Sequence, residues 1–301
     1  MDENIDTIRP KNKILNIWIL SIFIIIILTT FYFLSAPFKN SDVLIHISSG
    51  RPLSSISSQL IKDQAIRSNL TLKVFIKLLG TKKGIIFGDY LIKKNSPVWI
   101  VAWQISRGHH NVEPIKVTLK EGITKNNMAK ILADKIPNFN TDLFLNDPRS
   151  KEGYLFPDTY FFYSLSSTDE IITDITANFQ KRINGIDKDI KSGNHSLSDI
   201  ITMASILEKE AGGKNDIAII SGILWKRIQL GMPLQVDAAP DTYKEAGLPK
   251  SPIGNPGLLS IKAALHPQVS GYLFYLHDKE GNVHYAVTFE EHKNNINKYL
   301  K

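Results

Sequence analysis

From Ile14 to Leu34 the chain carries no charged residue, and the stretch contains the unbroken run Ile22-Phe23-Ile24-Ile25-Ile26-Ile27-Leu28. As a helix rising about 1.5 Å per residue it would be roughly 30 Å long, the thickness of a bilayer hydrocarbon core. The sequence therefore predicts a single-pass transmembrane helix over residues 14–34, with everything after it folding as an ectodomain. A cleaved secretory signal is the competing reading, but the stretch exceeds the usual apolar region of about 7 to 15 residues and no small-x-small site follows. Arg9, Lys11 and Lys13 precede the span and Lys39 stands alone just after it. This bias predicts a cytoplasmic tail of residues 1–13 and an ectodomain outside the cytoplasm, with Trp18 and the Phe31-Tyr32-Phe33 trio at the two interfaces.

The chemistry open to the rest is narrowed by what is missing. The 301 residues include no cysteine, which removes disulfides, thiolate-bound zinc, iron–sulfur clusters and thiol catalysis. There is no GxxxxGKS/T, GxGxxG, GxSxG or HExxH, and the eight histidines show no ligand spacing on one helix face. No metal and no nucleotide site is expected. A net charge of +7 could suit nucleic acid, but the lysines are scattered, and an extracytoplasmic domain is better matched to an anionic envelope polymer. The carboxylates remain as the chemical candidates.

A faint repeat organises the first half. Ile47-Ser48-Ser49-Gly50 with Ile56 and Leu60 has the spacing of Leu119-Lys120-Glu121-Gly122 with Met128 and Leu132. Each copy reads as a strand, a glycine turn and a helix. With a helix near 70–80, a strand over Gly88–Ile92 and a helix over 97–106, residues 41–113 form a small βααβ-type module. Trp99 and Trp103, spaced i,i+4, read as core residues more readily than as sugar platforms. Residues 114–301 form a second, mixed region, so the fold class is α+β. There the aromatic stretch Gly153 to Phe162 reads as irregular and cleft-lining. Asp169–Arg182 reads as an amphipathic helix, and Asp216–Leu230 as a buried one. Thr288 with Glu291 makes a capping box for the last helix.

Ser198–Ala211 is a further helix, with Ser198 as its cap and Gly212-Gly213 as its stop. Ile200, Met203, Ala204, Leu207 and Ala211 share one face, and Glu208 and Glu210 fall on its two flanks. Glu208 borders the small Ala204 and Ser205, which leaves room for a ligand; Glu210 borders Met203 and Ile206. A carboxyl half-buried among apolar neighbours keeps its proton more tightly and can donate it to a leaving oxygen. An ordinary surface glutamate is the equal alternative at this point. The long Pro- and Gly-punctuated segment from Met232 to Gly257 reads as a functional loop.

Four ordered motifs then carry a resemblance: Glu152-Gly153-Tyr154-Leu155-Phe156-Pro157-Asp158-Thr159-Tyr160, Ala204-Ser205-Ile206-Leu207-Glu208-Lys209-Glu210, Leu234-Gln235-Val236-Asp237, and Gly247-Leu248-Pro249-Lys250-Ser251-Pro252-Ile253-Gly254-Asn255-Pro256-Gly257. In this order, behind an N-terminal anchor, they resemble the YceG-like family of endolytic murein transglycosylases. The resemblance implies a LysM-like subdomain at 41–113, a catalytic domain at 114–301 and a bacterial inner-membrane location. It implies cleavage of the β-1,4 MurNAc–GlcNAc bond inside peptidoglycan strands to give 1,6-anhydro ends, without a cofactor. Glu208 matches the family's catalytic glutamate. Glu152, Tyr154, Asp158, Tyr160, Asp237 and Asn255 are the residues expected along the glycan cleft. Termination of nascent strands beside peptidoglycan synthases is implied as well. One departure is a short Ala238-Ala239-Pro240-Asp241 connection where the family often carries a longer, tyrosine-rich insertion. An older association with aminodeoxychorismate lyase would need a pyridoxal-phosphate site, and nothing here resembles one. Two other readings stay open: a hydrolytic muramidase pairing Glu208 with a carboxylate such as Glu152, and a membrane-tethered glycan-binding scaffold without activity.

Overall fold

The computed structural model describes residues 11–34, 41–79, 84–210 and 216–301, with side chains in the first helix described from Asn16 to Thr30. That helix, α1, runs Lys11–Leu34, and every side chain from Asn16 to Thr30 is exposed. Among the described residues no helix is long and apolar enough to cross a membrane. The expected cytoplasmic tail lies, up to Pro10, outside the described residues, as does the Gly212-Gly213 helix stop.

The chain divides into two compact units, the first ending at Glu113 and the second beginning at Pro114. In the first, β1 (Val43–Ile47) pairs antiparallel with β2 (Gly88–Ile92), and α2 (Leu53–Lys62) and α3 (Asn69–Leu79) lie between them in the chain. The β-α-α-β order expected from the sequence is present, and α4 (Val98–Arg107) follows it. Alternation along the strands turns Ile45 and Ile47, and Tyr90 and Ile92, into one core with Ile56, Leu60 and Leu72. The core is fed from α4 by Val98, Val101, Ala102 and Ile105, an i, i+3, i+4, i+7 stripe. Trp99 and Trp103 fall one step off that stripe. They are 38% and 39% exposed, so the core role expected of them is corrected: helical spacing of two aromatics fixes a shared face without saying which face turns inward.

The second unit opens with β3 (Ile115–Thr118), α5 (Lys125–Lys135), α6 (Thr141–Asn146) and β4 (Thr159–Phe162). β4 pairs antiparallel with β3, Val117 opposite Tyr160. The aromatic stretch read as cleft lining thus ends in a strand, whose Tyr160 and Phe162 face a core with Leu119, Met128, Leu132, Phe144 and Ile171. The repeat has a structural counterpart: Gly50 and Gly122 both turn the chain at positive φ, 75° and 73°, after β1 and β3. Ile56 and Leu60 in α2, and Met128 and Leu132 in α5, are the buried contacts that follow.

Then come α7 (Thr168–Asn184), α8 (Asp187–Ser192), α9 (Leu197–Glu210), α10 (Ile217–Gln229), α11 (Leu258–Leu265), the hairpin β5 (Phe274–His277) and β6 (Val283–Ala286), and α12 (Phe289–Tyr299). α7 and α12 both start with capping boxes, Ser167 with Glu170 and Thr288 with Glu291. Helix α9 is the centre of this unit. All residues from Ile200 to Leu207 are buried, packed against Ile220 and Leu224 of α10 and Ile261 of α11. At about 1.5–3 kcal/mol for each fully buried large aliphatic side chain, α9 is held as a rigid rod. The fold is mixed α+β, mainly helical, with three two-stranded antiparallel sheets among the described residues.

Helix α10 packs closely on the chain before β5: a Cβ on Gly222 would collide with the Gln268 carbonyl oxygen. The backbone there is further fixed by the Gln268 N–H donating to Ala218 at 2.8 Å. Gly222→Ala is therefore expected to lower unfolding stability by about 2 kcal/mol through overpacking. An unchanged urea midpoint would contradict the close approach.

Candidate active site

The first turn of α9 is capped by Ser196: its Oγ accepts the Asp199 N–H at 3.1 Å and donates to Asp199 Oδ2 at 2.7 Å. Ser198, the expected cap, lies inside the helix and its carbonyl accepts the Thr202 hydroxyl. Ten residues later the burial of α9 ends, and Glu208 is the first side chain to emerge. Its Oε2 accepts the Gly257 N–H at 2.8 Å and the Ser260 hydroxyl at 2.7 Å. Gly257 is the N-cap of α11 and Ser260 lies in its first turn, so the carboxyl group satisfies one backbone donor that a helix N-terminus leaves unpaired and one hydroxyl beside it. Oε1 accepts no hydrogen bond from the described residues. One oxygen fixes the group and the other is left without a donor among the described residues.

The space beside Glu208 is not vacant in the way the small Ala204 and Ser205 suggested. Ser205 is buried; its Oγ accepts the Ile253 N–H at 3.0 Å and donates to Thr202. The protein's own segment 253–257 occupies that flank. Gly122 approaches from behind, where a Cβ would lie 3.2 Å from Glu208 Cγ, and the Glu121 side chain passes so close to Gly257 that no Cβ fits there. Sequence reading missed Glu121 at this site. Its one signal was its place before the turn glycine of the repeat.

Asn255 is wholly buried and fully engaged. Its Oδ1 accepts the Leu155 N–H at 2.9 Å, and its Nδ2 donates to the Ile123 carbonyl at 2.9 Å and to Glu152 Oε1 at 2.6 Å. Its backbone adds two more links, Gly122 N–H to Asn255 O and Asn255 N–H to Ile123 O. Both oxygens of Glu152 accept the Lys125 N–H at 3.0 Å, at the start of α5. Burial pushes the Glu152 carboxyl above its ordinary value, against the opposing bonds from Lys125 and Asn255. These two residues were expected along the cleft. The structure makes them the knot that joins the 121–125, 152–155 and 253–257 segments.

Asp158 accepts hydrogen bonds from Asn178 and Arg182, each at 3.0 Å. Burial works to raise its carboxyl, but bonds from Asn178, the Thr159 N–H and Arg182 outweigh it and hold the group low. Tyr160 is buried, donates to the Phe156 carbonyl at 2.7 Å and accepts from Asn178; burial raises its hydroxyl well above the ordinary value. Both brace β4 against α7. Tyr154 is half-buried against Phe179, with ring centroids 5.1 Å apart, and lines a shallow hollow with Pro148 and Arg149.

Asp237 belongs to the other flank of α9. Its Oδ1 accepts the Tyr243 hydroxyl, and with Glu210, Arg227, Tyr243 and Tyr275 it lines a cavity of about 520 Å³. Glu210 accepts the Tyr275 hydroxyl at 3.2 Å. Burial pushes its carboxyl up, and the charge of Asp237 adds to the effect while the Tyr275 bond opposes it. Glu208 and Glu210 therefore face different surroundings, as the two-flank reading of α9 required.

The YceG-like family model matches residues 45–240 and 241–298, and the chain belongs to that family. The match breaks at the short connection after Asp237. A Bacillus subtilis protein named endolytic murein transglycosylase is 27% identical over 87% of this chain and 86% of its own length. A Streptococcus pneumoniae protein of the same name is 28% identical over 50% of this chain and 32% of its own length. The crystal structure of a yceG-like protein from Listeria monocytogenes shares the fold, with a TM-score of 0.56, 24% identity, and coverage of 85% of this chain and 99% of the other.

The raised Glu210 carboxyl has a consequence for stability. In the folded chain the group keeps a proton that the unfolded chain gives up near its ordinary 4.5, so its contribution is fully present below that pH and is lost as pH rises through the folded value. Glu210→Gln keeps an acceptor for Tyr275 but does not titrate. Its stability relative to wild type should increase as pH rises from below 4.5 through the raised folded value of Glu210; a difference independent of pH in urea unfolding would contradict the half-buried acid.

Proposed function

We propose that this chain is an endolytic lytic transglycosylase of peptidoglycan, with Glu208 as its general acid and base. The observation that carries this reading is the asymmetric hold on Glu208, with Oε2 tied to Gly257 and Ser260 and Oε1 without a bond from the described residues. In the proposed reaction the protonated carboxyl donates to the glycosidic oxygen between MurNAc and GlcNAc as the C1–O bond breaks. The carboxylate then takes the proton of the muramic acid 6-hydroxyl, which attacks C1 and closes the 1,6-anhydro ring. No water is consumed, so one carboxylate suffices where most glycosidases need two. The hydrolytic alternative pairs Glu208 with a second carboxylate such as Glu152, and the oxygens of Glu152 are engaged by Lys125 and Asn255.

The remaining parts of the reading follow from the sequence. Residues 14–34 anchor the chain in the bacterial inner membrane, N-terminus in, on the strength of an uncharged stretch of bilayer length. The β-α-α-β unit up to Glu113 serves as a LysM-like subdomain, supported by its element order. Cleavage beside the synthases would set the length of nascent strands.

The test is digestion of uncrosslinked glycan strands by the full chain in detergent, with released ends identified by mass spectrometry. Wild type should yield anhydro-muramic ends, and Glu208→Gln should keep the same melting behaviour while losing activity by about 10² or more. Reducing ends, or wild-type turnover by the variant, would overturn the assignment.

A further inference from the structure

The first unit carries an exposed apolar surface that its core does not use. On α3 the outward residues include Leu70, Val74 and Leu78, one per turn, with Leu70 and Leu78 each 71% exposed. On the adjoining α4 the exposed residues are Trp99, Ile100, Trp103 and Arg107. The two helices meet through Phe75 and Trp99, ring centroids 6.3 Å apart, so the rows form one surface. Charge on it has a single sign: α3 and α4 contain Lys73, Lys77 and Arg107 and neither Asp nor Glu.

We propose that the α3–α4 face lies on the surface of an anionic lipid bilayer, with the leucines, Ile100 and the tryptophans in the headgroup boundary and the cations at lipid phosphates. Exposed Leu and Trp on one face with Lys and Arg at its margin is the pattern of an interfacial helix, and cations near an anionic surface strengthen its attachment. Tryptophan prefers this boundary because its ring is apolar and its N–H polar. Reach supports the same occupant: from Leu34 to Val43 the chain can extend at most about 30 Å, so an anchor at 14–34 keeps this unit beside the membrane. That last point rests on the anchoring proposed above; the composition of the face does not.

Because the chain has no cysteine, one introduced cysteine gives one labelling site. Nitroxide is attached to Leu78→Cys, Ile100→Cys or Ile25→Cys in the full chain, reconstituted with phosphatidylglycerol-containing vesicles. Accessibility to oxygen and to a water-soluble nickel chelate is then measured. The expected result is a severalfold higher oxygen-to-nickel ratio at positions 78 and 100 than for the same sites in detergent-free phosphatidylcholine vesicles, reduced again by Lys73→Glu with Lys77→Glu. Water-like labels at 78 and 100 with a hydrocarbon-buried label at 25 would overturn the face while leaving the anchor. A water-like label at 25 would overturn the anchor, with 78 and 100 still deciding the face. Labels at 78 and 100 shielded from both reagents would mean a protein partner, such as a second copy, and would also overturn it.

Discussion

One buried amide group holds the region around Glu208 together. Asn255 bonds to Leu155, Ile123 and Glu152, residues 100, 132 and 103 positions away in the chain. Each partner sits in a loop, and loops on their own have no reason to converge. A buried amide that lost any of these partners would carry an unsatisfied group costing about 1–3 kcal/mol. The low-energy arrangement is the one in which all three segments meet. Glu152 extends the knot to the first N–H of α5, so its charge is spent on architecture.

From this knot the position of Glu208 follows. Segment 253–257 is pinned on one side by Asn255 and on the other by Ser205, whose hydroxyl takes the Ile253 N–H. That places Gly257 and the start of α11 where their donors meet the end of α9. Glycine is required where backbone passes backbone: a Cβ on Gly254 would lie 2.7 Å from the Gly122 carbonyl oxygen. A Cβ on Gly153, which also has φ +87°, would strike Pro252 at 2.6 Å and Ile201 at 2.8 Å. Gly153, Gly254 and the Glu152 carboxyl thus serve one purpose, which is to bring distant loops close enough to place a single carboxyl group. α9 supplies the rigid base, and its two flanks put Glu208 and Glu210 into separate environments.

Much of this was legible in the sequence because it is local. Helical periodicity marked α7, α9 and α10, capping boxes marked α12, and the flank positions of Glu208 and Glu210 follow from helix geometry alone. What was not legible is long-range. The pairing of β3 with β4 spans the whole of α5 and α6, so the aromatic run through Phe162 gave no sign of its partner. Asn255 and Glu152 are cleft residues by the family resemblance alone; only the fold shows Asn255 buried, Glu152 half-buried, and the two bonded to each other. Ser205 looked like room for a substrate and is filled by the chain itself. Trp99 and Trp103 were assigned inward because large aromatics usually are, whereas Val98, Val101, Ala102 and Ile105 already saturate that face.

The central claim is that Asn255 couples three loops into one unit behind Glu208. Amide hydrogen exchange on Asn255→Ala, followed by mass spectrometry of peptides covering 121–125, 152–155 and 253–257, tests it directly. The account predicts that all three lose protection together while α7 and α12 keep theirs. Loss confined to 253–257, with the other two segments protected as in wild type, would contradict it.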